Sequence, residues 1–177
     1  MRCALAALAA GFLAGFAANP VTAQDTEAEF SSRYTLLEDC TEVASSISPD
    51  YMIHRCEGYG GIPIWWRFAD SVRLYIGFGE TPHDSGPFGT DRDSDWPIEW
   101  RGNENIAPFS SFAVIIRMRV PRGVYEIEPS PALAVFKLRE DGTSCLIARD
   151  VADNERAREI ADSAPSRTCA SEPFVHD

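Results

Sequence analysis

Gly58-Tyr59-Gly60-Gly61-Ile62-Pro63-Ile64-Trp65-Trp66-Arg67-Phe68-Ala69-Asp70-Ser71-Val72-Arg73-Leu74-Tyr75-Ile76-Gly77-Phe78-Gly79 is the stretch that decides the fold. After the glycine-rich turn at 58–61, Ile62, Ile64, Trp66 and Phe68 alternate with Pro63, Trp65 and Arg67. The pattern restarts after Ala69-Asp70, where Val72, Leu74, Ile76 and Phe78 alternate with Arg73, Tyr75 and Gly77. A period of two over both runs predicts a β-hairpin with one buried face. Slipping the register by one residue would drive Arg73 into the core, so the pairing is firmly specified.

Outward from this hairpin the same reading finds more strands. Ser111 to Val120 carries Phe112, Val114, Ile116, Met118 and Val120 on one face, with Arg117 and Arg119 on the other. Ala132 to Arg139 and Ser144 to Arg149 flank Glu140-Asp141-Gly142-Thr143, a hairpin turn signal. Residues 51–56 and 97–101 read as extended, and 33–37 as a short strand or a turn of helix. Residues 41–50, small and polar, end in the turn signal Ser48-Pro49-Asp50. Residues 80–95, with Pro82, Gly86, Pro87, Gly89 and four aspartates, read as a long surface loop. One helix is predicted over 152–164. Asp150 or Asp153 is its cap, Ala157, Ile160, Ala161 and Ala164 its apolar stripe, and Pro165 its stop. The expected fold class is therefore α+β: a mainly antiparallel β-sheet of five to seven strands, a curled sheet or half-barrel, with one C-terminal helix.

The N-terminus gives an address. Met1-Arg2-Cys3, an apolar Ala-rich run to Ala18, and Asn19-Pro20-Val21-Thr22-Ala23 have the layout of a secretory signal peptide cut after Ala23. The apolar run, about fifteen residues, is short for a bilayer span of roughly twenty. Cleavage leaves 154 of the 177 residues. Because Arg2 is the only charged residue removed, the net charge moves from -11 to -12. Such an acidic chain is a poor partner for nucleic acid or an anionic membrane surface. The expected organisation is a lead-in at 24–30, a single domain over 31–170 and a tail at 171–177.

Four cysteines remain after cleavage, Cys40, Cys56, Cys145 and Cys169. An even number in an exported chain reads as a disulfide framework. Of the three possible pairings, the two local closures are favoured, Cys40–Cys56 and Cys145–Cys169. No C-x-x-C spacing supports a metal site.

Two segments together resemble a known group. One is Tyr34-Thr35-Leu36 with Cys40, followed by Cys56-Glu57-Gly58-Tyr59-Gly60-Gly61-Ile62-Pro63. The other is Ser144-Cys145-Leu146-Ile147-Ala148, then Asn154, Ala157-Arg158, Ile160-Ala161-Asp162 and Cys169. The chain is similar to small exported, periplasmic proteins of alphaproteobacteria to which no activity is assigned. The resemblance implies export and two disulfides. It implies no ligand or catalytic residue.

No catalytic set emerges from the motifs. G-x-S-x-G, H-E-x-x-H and a phosphate loop with Lys are all absent. Gly58-Tyr59-Gly60-Gly61 precedes a strand, so it aims no helix N-terminus at a phosphate. His54, His83 and His176 are the histidines. Asp91, Asp93 and Asp95 alternate as calcium ligands do. However, Trp96 stands where an EF-hand needs Gly, and Gly102 where it needs a bidentate Glu. No cofactor is expected.

The aromatic residues carry the binding expectation. Trp65 points away from the core beside Arg67, and Arg73 and Tyr75 share that face. Trp96 and Trp100 form a second close pair. If 111–120 joins the same sheet, Arg117 and Arg119 extend the face. Arginines with aromatic rings stack sugars or peptide groups and grip carboxylates. Alternatively these arginines pair with Glu57, Glu99, Glu126 or Glu128. The leading expectation is a non-enzymatic periplasmic module binding a protein, peptide or glycan of the cell envelope. A second is an acidic inhibitor of a cationic enzyme such as a lysozyme, contacting it through 91–95. A third is a hydrolase using His83 or His54 with an aspartate.

Overall fold

The computed structural model describes residues 30–38, 40–47, 50–69, 73–80, 96–104, 108–120 and 130–169. The readings of 1–23 and most of 24–30, of 81–95 with His83, Asp91, Asp93 and Asp95, of Glu126 and Glu128, and of 170–177 with His176 lie outside the described residues.

Nine strands lie within the described residues, where five to seven were expected. They are β1 (Phe30–Thr35), β2 (Thr41–Ile47), β3 (Asp50–Glu57), β4 (Pro63–Ala69), β5 (Arg73–Phe78), β6 (Ile98–Asn103), β7 (Ser110–Val120), β8 (Ser130–Leu138) and β9 (Ser144–Val151). All pairings are antiparallel. They divide into a four-stranded sheet, β2-β3-β4-β5, and a five-stranded sheet, β1-β6-β7-β8-β9. The added strands are polar. β2 reads Thr-Glu-Val-Ala-Ser-Ser-Ile and sits at a sheet edge, so it shows little of the alternation that marks a half-buried strand.

The central hairpin pairs in the predicted register: Ile64 opposite Phe78, Trp66 opposite Ile76, Phe68 opposite Leu74. These side chains face the other sheet. Ile64, Leu74, Ile76 and Phe78 share one core with Ile98, Trp100, Val114, Ile116, Met118 and Phe136, and Trp66 and Phe68 pack against it. Phe78 meets Trp100 and Phe136 edge-on, with ring centroids 5.7 and 5.0 Å apart. The glycine before the hairpin has a packing reason, because a Cβ on Gly58 would lie 2.6 Å from the Trp100 ring.

The other face of the five-stranded sheet is covered by α1 (Asn154–Asp162). Ala157, Ile160, Ala161 and Ala164 pack on Ala113, Ile115, Leu133, Val135 and Val151, as the apolar stripe requires. Asp153, not Asp150, is the cap: its carboxylate accepts from Arg156 N at 2.8 Å. The molecule is thus layered four-stranded sheet, five-stranded sheet, helix. Arg117 and Arg119 lie in the five-stranded sheet and cannot extend the Trp65 face, which corrects the conditional expectation above. Phe112 is corrected too. The β6–β7 register shifts between Arg101 and Gly102, which leaves Phe112 without an opposing Cα and turns it to the helix side. There its ring meets Phe30 at 5.4 Å. Phe30, expected in the lead-in, already pairs with Asn103.

Both disulfides form as the local closures, Cys40–Cys56 and Cys145–Cys169, with sequence separations of 16 and 24. The first ties β3 to the segment before β2. The second ties β9 to the chain beyond α1. On the loop-closure account each stabilises the fold by about 3 kcal/mol. Edge contacts at one end link the sheets: Ser144 Oγ accepts from Phe78 N and Gly142 O from Glu80 N, each at 2.9 Å. No ladder among the described strands closes the two sheets into one.

Candidate functional site: the outer face of the four-stranded sheet

Alternation places the odd-numbered residues of β3, β4 and β5 on the face turned away from the core. Registry then arranges them in rows across β3, β4 and β5. Tyr51, Ala69 and Arg73 form one row, Ile53, Arg67 and Tyr75 the next, and Arg55, Trp65 and Gly77 the third. Trp65, Arg67, Arg73 and Tyr75 therefore share one surface, as expected. Arg55 belongs there as well and was missed. Its strand showed only an extended segment, and nothing in the sequence said which strand would lie beside β4.

Cations and rings on this face are stacked. The Arg67 guanidinium carbon lies 4.2 Å from the Tyr75 ring centroid, and that of Arg55 lies 5.9 Å from the Trp65 ring. Each pair consists of direct neighbours across a ladder. A guanidinium lying on a ring is attracted to it by roughly 0.5–1 kcal/mol at exposed sites. Trp65 is fixed further, since its indole Nε1 donates to Gly79 O at 2.7 Å. Arg73 is exposed, Gly77 is buried and the other members are partly buried. Arg55 also pairs with Glu57 at 2.7 Å at the end of the face.

The second tryptophan pair does not belong to this surface. Trp100 is fully buried in the core, with its Nε1 donating to Thr35 Oγ1 at 2.8 Å. It is a packing residue, which corrects its place among the binding candidates. Trp96 lies under Arg119 of β7, 5.3 Å from ring centroid to guanidinium carbon, on the other sheet. Glu99 pairs with Arg158 of α1 at 2.7 Å. His54 stands in register with Glu42 and Trp66. The Glu42 carboxylate accepts from Ser45 Oγ at 2.7 Å.

The most buried charges lie elsewhere, between β1, β6 and α1. Arg101 donates twice to Asp162 and once to Ser32 Oγ, all at 2.8 Å. Ser32 donates to Glu99, and Arg158 donates to both Glu99 oxygens and to Tyr34 OH. These hydrogen bonds hold the Arg158 proton well above the usual guanidinium range, with Glu99 as the main cause. Two guanidiniums and two carboxylates in mutual contact neutralise one another. The network fastens the helix to the sheet and presents no reactive group.

Two shallow clefts of 230 and 460 Å³ run along the β8–β9 hairpin. They adjoin at Leu138 and Arg139. The only lysine, Lys137, borders the larger, and its Nζ donates to Pro165 O and Arg167 O at 3.0 and 2.9 Å. Among the described residues no three of His, Cys, Asp and Glu converge as metal ligands, and no helix is long and apolar enough to cross a membrane. No protein-family model, curated protein or solved structure matches the chain.

Proposed function

We propose that the chain is an exported, periplasmic binding module without catalytic activity. It engages a peptide or glycan of the cell envelope through the outer face of the four-stranded sheet. The in-register stacking of Arg67 on Tyr75 and Arg55 on Trp65 carries this reading. It turns a sheet surface into a flat array of rings and oriented N–H donors, the chemistry that stacks sugar or peptide planes and grips carboxylates. The five-stranded sheet has α1 against its outer face, which leaves the four-stranded sheet's outer face as the one that carries the stacked arginines and rings. Two disulfides suit an oxidising compartment.

The test is a screen of envelope glycans and peptides with the mature protein, read by tryptophan fluorescence. Wild type is compared with a Trp65→Ala/Tyr75→Ala double variant whose fold is checked by circular dichroism. Binding lost in the variant supports the reading, and binding undiminished in it refutes the site. A lysozyme assay at low and raised ionic strength separates the inhibitor alternative. Salt-sensitive inhibition that survives the double variant would transfer the function to the acidic surface. A fusion of residues 1–23 to an export reporter tests the address.

A further inference from the structure

The glycine-rich turn before β4 helps to form a cleft at one end of the two sheets. Among the described residues four glycines adopt positive φ, Gly60, Gly61, Gly79 and Gly142, at 66° to 108°. All four line the smaller cleft, of 230 Å³. Residues with a Cβ avoid this backbone region, so the turns that meet here demand glycine. Bare backbone therefore stands where side chains would otherwise fill the space. A Cβ on Gly60 or Gly61 would meet nothing within 4 Å, whereas one on Gly79 would run into Gly142 O. The apolar part of the lining comes from Ile62, Pro63 and Leu138, of which Ile62 and Leu138 pack against the inter-sheet core.

The charge of this cleft is unbalanced. Arg139 is the one cation on the lining, and Asp141 already pairs with it at 2.9 Å. Glu80 is exposed at the cleft, and its backbone N donates to Gly142 O, but its carboxylate has no hydrogen bond or ion pair among the described residues. Ser111 Oγ, beside the same cleft, is buried without a hydrogen-bond partner. We infer that the cleft binds a primary alkylammonium group, with its stem on the Ile62–Pro63–Leu138 surface and its head on the Glu80 carboxylate. An ammonium on an aliphatic stem matches both halves, because the stem covers apolar surface while the head stays at the wet rim and donates to a carboxylate. A volume of 230 Å³ lies below the roughly 300–1,000 Å³ of drug-sized pockets and suits one chain of lysine length. The net charge of -11 draws cations toward the protein before contact. The same chemistry is offered by a free amine and by a lysine side chain of a partner polypeptide. The site uses none of the side chains of the outer sheet face and stands apart from it.

The experiment is a nuclear magnetic resonance titration of the disulfide-bonded protein, following the amides of Gly60, Gly61, Gly79 and Gly142. The probes are n-butylammonium, n-butanol, tetramethylammonium and lysine capped at both its α-amino and carboxyl groups. Butylammonium is expected to shift these glycine amides saturably, and butanol and tetramethylammonium to shift them far less. Glu80→Gln should weaken butylammonium about fivefold. Glu155→Gln, in the first turn of α1, should change nothing. Capped lysine binding as tightly as butylammonium or tighter supports the site and assigns the group to a polypeptide; capped lysine binding more weakly supports it with a free amine as the source. Butanol shifts equal to those of butylammonium overturn the ammonium head. Tetramethylammonium shifts equal to them overturn the need for N–H donors. Butylammonium binding unchanged by Glu80→Gln overturns the assigned carboxylate. Shifts that do not saturate and spread over the acidic surface overturn the site itself.

Discussion

Asp162→Ala should be among the most damaging surface-adjacent substitutions in this protein. Asp162 is the last residue of α1, where a negative charge sits at the unfavourable end of the helix dipole. It is held there by Arg101, whose Nε and Nη2 donate to its two oxygens at 2.8 Å. The Arg101 side chain is 9% exposed and that of Asp162 is 27%. Truncating Asp162 leaves a guanidinium nearly out of water with only Ser32 Oγ as partner. Breaking a buried pair in this way costs about 3–5 kcal/mol. Water entering the half-open Asp162 side and relief of roughly 0.5 kcal/mol of dipole repulsion bring the expected loss to about 2.5–3 kcal/mol. Arg101→Met leaves the better-hydrated partner alone and should cost less, about 1–2 kcal/mol. The double variant Arg101→Met/Asp162→Leu strands no charge and should lie within about 1 kcal/mol of wild type. Urea unfolding with both disulfides intact, read at constant m, measures all three. A loss below about 1 kcal/mol for Asp162→Ala would refute the reasoning, as would a double variant whose loss equals the sum of the singles.

Three further outcomes follow from the packing. Gly58→Ala should cost about 1–3 kcal/mol, because the new methyl meets the Trp100 ring at 2.6–2.7 Å and the Ile62 carbonyl; the near-ultraviolet dichroism of Trp100 should change with it. Asp141 is held below its ordinary carboxylate pKa by hydrogen bonds from the Thr143 hydroxyl and backbone N–H, with Arg139 adding to the effect. A lowered folded value means that its support of the β8–β9 turn is complete above about pH 4 and is lost as pH falls through the folded value. Protection of the Thr143 amide, measured against its intrinsic exchange rate at each pH, should therefore fall in acid in wild type and be low at every pH in Asp141→Ala. Replacing Cys145 and Cys169 together by Ser should lower stability by about 3 kcal/mol on the loop-closure account, measured by thermal unfolding, while leaving the β4–β5 hairpin intact.

The sequence showed the local pattern of the fold better than its assembly. The alternation through Ile64, Trp66 and Phe68 against Leu74, Ile76 and Phe78 read out one hairpin, its register and its buried face. Asp153 and the Ala157–Ile160–Ala161 stripe read out the helix, and the cysteine count left a pairing that local closure resolved. Alternation says which side chains share a face of a strand, but not which sheet the strand joins. Arg117 and Arg119 would extend the Trp65 face only if 111–120 joined the same sheet, and that strand lies instead in the five-stranded sheet. The same blindness put Trp100 among exposed aromatics. β6 carries Glu99 and Arg101 on its helix side, so the strand has polar residues where a half-buried strand is expected to be wet. Those charges are buried because partners 59 to 61 residues away meet them. Of the candidate site, Trp65, Arg67, Arg73 and Tyr75 were legible from one hairpin. Arg55 needed the β3–β4 register.

The solitary lysine has a practical corollary. Lys137 projects from β8 toward the helix side, opposite the arginine-bearing surface. Apart from the chain's own terminal amine, any reagent seeking a primary amine finds this single target, already engaged by two carbonyl oxygens. Anchoring at that atom would hold the protein by its helical layer and turn the stacked guanidiniums toward solution.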